Sequence, residues 1–209
     1  MESKRIAIIG AGELGQQIAH LGKKNNYNIV GFFDDYVKDS IIDGLCLLGS
    51  ISDIDVKSEA FDELIIAIGY NHFETRKSLF DKLQKKYPFA TIIDKSAIID
   101  PTATVDAGSV IYPNVVIDKQ VHVGKNVLLN LSCTICHNSE IGAHSYIAPA
   151  VTLAGYVSIG ECVFLGVGTT IIDNMTIADN VLVGAQALVN KDIVDPGGTY
   201  MGVPIHKKL

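Results

Sequence analysis

The chain has 209 residues, 48% of them hydrophobic and 19% charged, enough to bury a sizeable core, which excludes a disordered tail and a disulfide-stapled miniprotein. Its 23 acidic residues outnumber the 17 basic ones for a formal net charge of −6, and no Lys/Arg run offsets that sign, which argues against nucleic acid as a partner. The opening MESKRIAIIGAG leads into a glycine turn rather than a long apolar region with a cleavage site, and no stretch approaches the roughly 18 apolar residues of a membrane span. A soluble cytoplasmic protein is therefore expected, with Cys46, Cys133, Cys136 and Cys162 as reduced thiols.

Two periodicities divide the chain, and the change between them predicts one domain over 1–94 and a second over 95–209. In the first, short apolar runs alternate with amphipathic stretches, the pattern of a parallel sheet covered by helices. Arg5 to Ile9 reads as a buried strand, and the stretch to Lys24 carries Leu14, Ile18 and Leu21 on one helical face. Asn28 to Phe33 is the second strand and Leu64 to Ile68 the third; Phe73, Phe80, Leu83 and Tyr87 then recur at helical spacing until Pro88 stops the helix. The expected unit is a small Rossmann-like βαβ followed by another βα.

From about residue 95 the period becomes six. Ile99, Val105, Ile111, Ile117, Val123, Leu129, Ile135, Ile141, Ile147, Leu153, Ile159, Leu165, Ile171, Ile177, Val183 and Val189 form an unbroken aliphatic series. A helix of about 3.6 residues per turn rotates such a series off any single stripe, and no strand runs for so long. A coil that turns a corner every six residues points each aliphatic at the axis of a triangular prism. Residues two earlier are mostly small or β-branched, and glycine follows the aliphatic at Gly124, Gly142, Gly160, Gly166 and Gly184, where a turn with positive φ is expected. Three sides of six make a coil, so the series gives about five coils.

Chemistry is sought where residues break these patterns. Gly10-Ala11-Gly12-Glu13-Leu14-Gly15 lies between strand and helix, with Asp34-Asp35 about 20 residues on, which is formally a dinucleotide fingerprint. Glycine there admits a phosphate-bearing ligand to a helix N-terminus, while a carboxylate takes ribose or base hydrogen bonds. A bare strand-to-helix turn remains the alternative; a nicotinamide-dependent dehydrogenase is disfavoured because no second βαβ half follows. Cys133-Thr134-Ile135-Cys136-His137 spells a haem-attachment motif, yet the hexad register places Cys133 at a small packing position. One C-x-x-C pair does not make a zinc site, and His122, His137 and His144 fall at different phases of the hexad, so they are not expected to converge on a metal within one chain, which leaves ligation across subunits as the alternative. His137, two past Ile135, is placed at an outward corner where an imidazole can act as a base near neutrality; an exposed corner histidine without a role is the alternative, which position alone favours.

His137-Asn138-Ser139-Glu140-Ile141-Gly142, continuing through Ile147-Ala148-Pro149 to Leu153-Ala154-Gly155 and Val157-Ser158-Ile159-Gly160, resembles the core motif of the hexapeptide-repeat sugar O/N-acetyltransferases. That group includes sialic acid O-acetyltransferases and N-acetyltransferases of nucleotide-linked 4-amino-4,6-dideoxy sugars. The likeness covers nearly the whole chain, including Phe33-Asp34-Asp35, Ala67-Ile68-Gly69 with Asn71 and Arg76, and the ending Gly202-Val203-Pro204 with Lys207-Lys208.

The resemblance implies a left-handed parallel β-helix, a homotrimer with active sites between neighbouring prisms, and acetyl-CoA as co-substrate without a metal. It implies that the N-terminal domain binds the nucleotide sugar through Gly12, Glu13, Leu14, Asp34, Asp35 and Gly69. It further implies that His137 is the general base, that Gly155 offers its N–H to the thioester oxygen, and that Tyr146, Val167 and Ala185 line the acetyl-CoA channel. Three residues depart from the family pattern. Asn138 replaces the acidic residue that usually follows the histidine, Tyr146 replaces a histidine that often contacts acetyl-CoA, and Glu13 puts an anion in a phosphate-facing loop. The expected activity is N-acetylation of the sugar 4-amine for surface glycan synthesis. The alternatives are O-acetylation of a sialic acid or related hydroxyl, which needs a base more than an amine does, and a trimer that binds a sugar nucleotide without catalysis.

Overall fold

The computed structural model describes residues 3–208 and divides into two compact units after Ile93. In the first, β1 (Arg5–Ile9), α1 (Glu13–Lys24), β2 (Asn28–Phe33), β3 (Ile41–Ile42), β4 (Leu45–Gly49), β5 (Glu63–Ile66) and α2 (Phe73–Leu83) follow in order. The sheet runs β3-β4-β2-β1-β5, parallel except for the β3-β4 hairpin. The continuous apolar runs of β1, β2 and β5 are explained by burial on both faces. Phe33, Phe61, Phe80 and Phe89 pack with Ile9, Ile54, Leu64 and Ile66 in one core.

Three boundaries differ from expectation. The hairpin over 41–49 adds two strands to the anticipated βαβ-βα; its turn is Asp43-Gly44, both with positive φ (47° and 70°), the turn chemistry that matches strand twist. β5 ends at Ile66; Ala67 N–H still donates to the Ile9 carbonyl at 2.8 Å, and Ala67, Ile68 and Gly69 line a pocket. α2 ends at Leu83 rather than at Pro88, since the Leu83 carbonyl accepts from both Lys86 and Tyr87 N–H at 2.9 Å and tightens the chain into a turn.

In the second unit each aliphatic of the hexad series is the second residue of a two-residue strand, from Ile98–Ile99 to Leu188–Val189. Strands 18 residues apart pair in parallel and in register, as with Val116–Ile117 on Thr134–Ile135, and they form three faces of a parallel β-helix. The first face carries Thr134–Ile135, the second Glu140–Ile141, the third Tyr146–Ile147. Fourteen of the sixteen aliphatics, Ile111 through Val189, are buried, whereas Ile99 and Val105 are only partly so. Those two belong to the first coil, and their strands end their sheets with no further strand beyond them.

The glycines after the aliphatics do not have the positive φ expected of them. Left-handed φ falls two residues later, at Asn114, Gln120, Asn126, Ser132, Asn138, His144, Ala150, Tyr156, Cys162, Asn174, Asn180 and Gln186, with φ between 54° and 66°. Asparagine tolerates that region better than most residues, which explains its recurrence. The glycines serve close stacking instead: a Cβ on Gly142 would lie 2.4 Å from the Gly160 carbonyl carbon and oxygen, and one on Gly166 would lie 2.5 Å from the Ala185 nitrogen.

Candidate functional site

In the α/β unit the three glycines of the first turn have separate physical reasons. Gly10 has φ 106°, and a Cβ on Gly15 would stand 2.0 Å from the Gly10 carbonyl oxygen, so these two are required by the turn and by helix-on-strand packing. Gly12 caps α1 and has no atom within 4 Å of an added Cβ. Open space at a helix N-terminus is what a ligand approaching the backbone requires.

Gly12 lines a pocket of about 340 Å³ together with Asp34, Asp35 and Gly69, so four of the six residues expected to bind the nucleotide sugar meet at one place. Glu13 and Leu14 are not among its lining; Glu13 is exposed and Leu14 half-buried on the helix. The sequence reading missed Tyr36, His72 and Thr75, which also line the pocket, because no pattern singles out residues that a loop and a short helical turn bring to the sheet end.

The two carboxylates have structural duties there. Asp34 accepts from the N–H groups of Ala11, Tyr36 and Val37 at 2.8, 2.8 and 3.0 Å. Burial pushes its pKa up, but these backbone bonds outweigh it and hold the carboxyl below its ordinary value. Asp35 accepts from Ile51 N–H at 2.8 Å. The pair ties the glycine turn, the loop after β2 and the segment after β4 around the pocket.

In the β-helix, His137 stands half-buried at the corner after the first face. Its ring folds across Gly155, the residue 18 positions on: a Cβ there would lie 2.6 Å from Cε1 and 2.8 Å from Nε2 of the imidazole. Gly155 is thus glycine because the ring occupies the space of a side chain. It is buried, and its N–H takes no part in the backbone ladder. The same corner position is filled by Pro113 and Pro149 elsewhere, residues with no N–H to lose.

Asn138 Oδ1 lies 3.2 Å from His137 Nδ1, and the Tyr156 ring meets the imidazole edge-on, with centroids 5.3 Å apart at 86°. Tyr156 and Gln120, which accepts a hydrogen bond from Asn138 Nδ2 at 2.8 Å, were missed by sequence reading. The 18-residue coil length was the available signal, since both lie one coil from Asn138.

Cys133, His144 and His122 have structural explanations. Cys133 is fully buried, with Sγ 3.2 Å from the Ala148 carbonyl oxygen, and burial raises its pKa to about 11. His144 is buried 3.0 Å from Asn126 Nδ2, and His122 sits 3.1 Å from Asp106 on the second face. Among the described residues no group of three His, Cys, Asp or Glu could hold a metal ion, and no helix is long and apolar enough to cross a membrane.

Tyr146 is half-buried on the third face beside Phe164, with ring centroids 5.9 Å apart. Val167 and Ala185 are exposed at the corner after that face. His137 and Gly155 belong to the corner after the first face, so one chain does not bring the expected base and the expected channel residues to the same corner.

Residues 5–83 match the PglD N-terminal domain, and residues 93–196 match the GMPPB C-terminal domain. The acetyltransferase domain of PglB from Neisseria gonorrhoeae is 25% identical, with 99% of this chain and 100% of that one covered at a TM-score of 0.90. This chain is similar to sugar acetyltransferases, in its N-terminal residues through the PglD N-terminal domain and over nearly its whole length through the PglB acetyltransferase domain. PerB from Caulobacter crescentus, solved with CoA and GDP-perosamine, is 26% identical over 97% of this chain and 96% of its own, at a TM-score of 0.89. WeeI from Acinetobacter baumannii, 22% identical at a TM-score of 0.84 over 97% and 99% of the two chains, shares the fold. The repeat unit is accordingly the left-handed parallel β-helix that the motif resemblance implied.

Proposed function

We propose that this protein is an acetyl-CoA-dependent N-acetyltransferase acting on the 4-amino group of a nucleotide-linked amino-dideoxy sugar, for surface glycan synthesis. The observation that carries it is the corner in which an imidazole, held at Nδ1 by an amide oxygen, folds over a glycine whose N–H the ladder leaves unused. Solved relatives of the same fold include PerB with CoA and GDP-perosamine and the PglB acetyltransferase domain with acetyl coenzyme A.

His137 Nε2 takes a proton from the sugar nitrogen as that nitrogen forms its bond to the thioester carbon. The oxygen of that carbonyl gains charge and accepts from the Gly155 N–H. Breaking the carbon–sulfur bond leaves the acetamide and releases CoA as thiolate. No acyl-enzyme is needed, and Cys133, buried with a raised pKa, is unsuited to carry one. The neutral amide of Asn138 can orient the ring but adds no charge to stabilise an imidazolium, which suits an amine nucleophile better than a hydroxyl.

Gly12, Asp34, Asp35 and Gly69 hold the nucleotide sugar in this reading, and Tyr146, Val167 and Ala185 contact acetyl-CoA. Because His137 and Val167 occupy different corners of one prism, the reading requires a neighbouring copy, and a homotrimer completes the site. Thioester cleavage followed with a thiol reagent across UDP-, dTDP- and GDP-linked amino sugars and hydroxyl acceptors tests the activity. Amine-dependent CoA release is expected. Release only with hydroxyl acceptors would assign O-acetylation, and none with any acceptor would leave a binding protein. The shared site has its own test: inactive His137→Ala and Val167→Glu variants, mixed and reassembled, should regain activity, because one interface then receives both intact residues.

A further inference from the structure

The geometry points to Gln120 as a positioning residue that decides which nitrogen of His137 is the base; this deepens the assignment of His137 and rests on it. Gln120, Asn138 and Tyr156 occupy the same left-handed corner position in three successive coils, with φ of 57°, 60° and 60°. Parallel strands lie roughly 4.8 Å apart, so each of these side chains reaches only its neighbour in the stack. Asn138 Nδ2 donates to Gln120 Oε1 at 2.8 Å. That bond turns Asn138 Oδ1 toward His137 Nδ1, 3.2 Å away. An amide oxygen only accepts, so Nδ1 carries the proton and the lone pair resides on Nε2.

Rotating the Asn138 amide by half a turn would present its NH2 group to Nδ1. The lone pair would then be drawn to Nδ1, leaving Nε2 protonated and unable to accept from the substrate. A carboxylate at 138 would need no such steering, because both of its oxygens accept. With asparagine in that position, the choice of tautomer passes to the residue one coil earlier. In the structure Gln120 presents Oε1 rather than its own NH2 to Asn138, and that arrangement makes the choice; a glutamate at 120, with acceptors alone, would enforce it. The titratable groups at adjoining corner positions are Asp118, Lys119, Cys136, Tyr156 and Asp173.

The test is a double-mutant cycle on the full-length protein, measured as acetyl transfer to the amino sugar it accepts. Gln120→Ala should lower kcat about tenfold with both KM values unchanged. Gln120→Glu, which keeps an acceptor oxygen, should recover at least about half of the wild-type kcat. In an Asn138→Asp background the same Gln120→Ala change should cost less than about twofold, since the carboxylate presents an acceptor in either orientation. Asn138→Asp alone should move the limb of kcat/KM that reports the base upward by about one pH unit, whereas Gln120→Ala should scale the profile without moving it.

Alanine at 120 is compatible with the fold, as Ala150 holds φ 58° at an equivalent corner, and thermal unfolding checks this. Wild-type kcat in Gln120→Ala, or a tenfold loss that persists in the Asn138→Asp background, would overturn the assignment. If His137→Ala is inactive while Gln120→Ala is unimpaired, only the role of Gln120 fails. If His137→Ala transfers acetyl normally, the underlying assignment of the base fails.

Discussion

The α/β unit and the β-helix bury apolar surface by different rules. The β-helix applies one instruction sixteen times, an aliphatic at every sixth residue, and stacks Ile, Leu and Val of neighbouring coils directly on one another. The α/β unit assembles a core of phenylalanines and aliphatics drawn from strands, helices and loops, each in its own setting. Repetition leaves the outward corner positions of the β-helix free to vary, and His137 stands at one of them. In the α/β unit the pocket arises where β1, β2 and β5 end, at the carboxyl edge of the sheet, as in other open parallel sheets.

The largest test of this contrast removes the corner imidazole. His137→Ala should lower kcat by about a thousandfold while leaving thermal stability near wild type, because the ring is half outside the packed prism. Steady-state acetyl transfer and thermal unfolding measure the two quantities. A full rate would remove the corner from the chemistry.

Gly155→Ala should follow. Its Cβ would press within 3 Å of the imidazole, and a displaced ring should cost about a hundredfold in kcat. KM for the sugar nucleotide, which the proposed function assigns to the pocket of the α/β unit, should stay constant.

A pair of glycine substitutions then separates stacking from ligand space. Gly142→Ala forces a Cβ onto the neighbouring coil and should destabilise the β-helix by about 1–3 kcal/mol in chemical denaturation. Gly12→Ala meets nothing, so it should leave stability unchanged and raise KM for the nucleotide sugar by roughly tenfold, the usual worth of one lost close contact. Equal stability losses at the two sites would erase the distinction.

Acid should act unequally and most mildly. In the α/β unit Asp34, Asp53, Asp55 and Asp62 all have lowered pKa values; the Arg5 guanidinium and backbone N–H draw Asp62 from 3.8 to about 2. In the β-helix Asp100 is lowered, by Thr102. Carboxyls with folded-state values below the ordinary ones contribute stability that is present above about pH 4 and lost as pH falls toward about 2. Hydrogen exchange during acid titration should show amides of β1 and β5 losing protection before those of the repeat strands.

The legibility of each region follows from the same contrast. The hexad register located the sixteen strands from Ile98–Ile99 to Leu188–Val189, because a violated phase would bury a polar side chain or expose an aliphatic in each coil, but not Ile92–Ile93, Thr199–Met201 and His206–Lys207, which extend the third face outside the series. It misassigned the glycines, since the sequence does not say whether a glycine serves φ or proximity; only the stacked coil shows Gly142 against Gly160. In the α/β unit the Asp43-Gly44 turn was a readable hairpin signal between short apolar runs. The pocket residues Tyr36 and His72 were not readable: Tyr36 is placed by Asp34 gathering three backbone N–H groups, and His72 by a short helical turn closed on the Gly69 carbonyl.

What the chain determined by itself was the period, and with it the coil length, the inward face and the corner on which His137 stands. Those depend on local spacing, which is one-dimensional information. Tertiary structure decided which of the residues that the coil length brings beside that histidine touch it, and how: the ring folds across Gly155, the Asn138 amide meets Nδ1, and Tyr156 lies edge-on. Such facts require the third coordinate, because the period says which rung lies next on the ladder and not where the side chains on it turn.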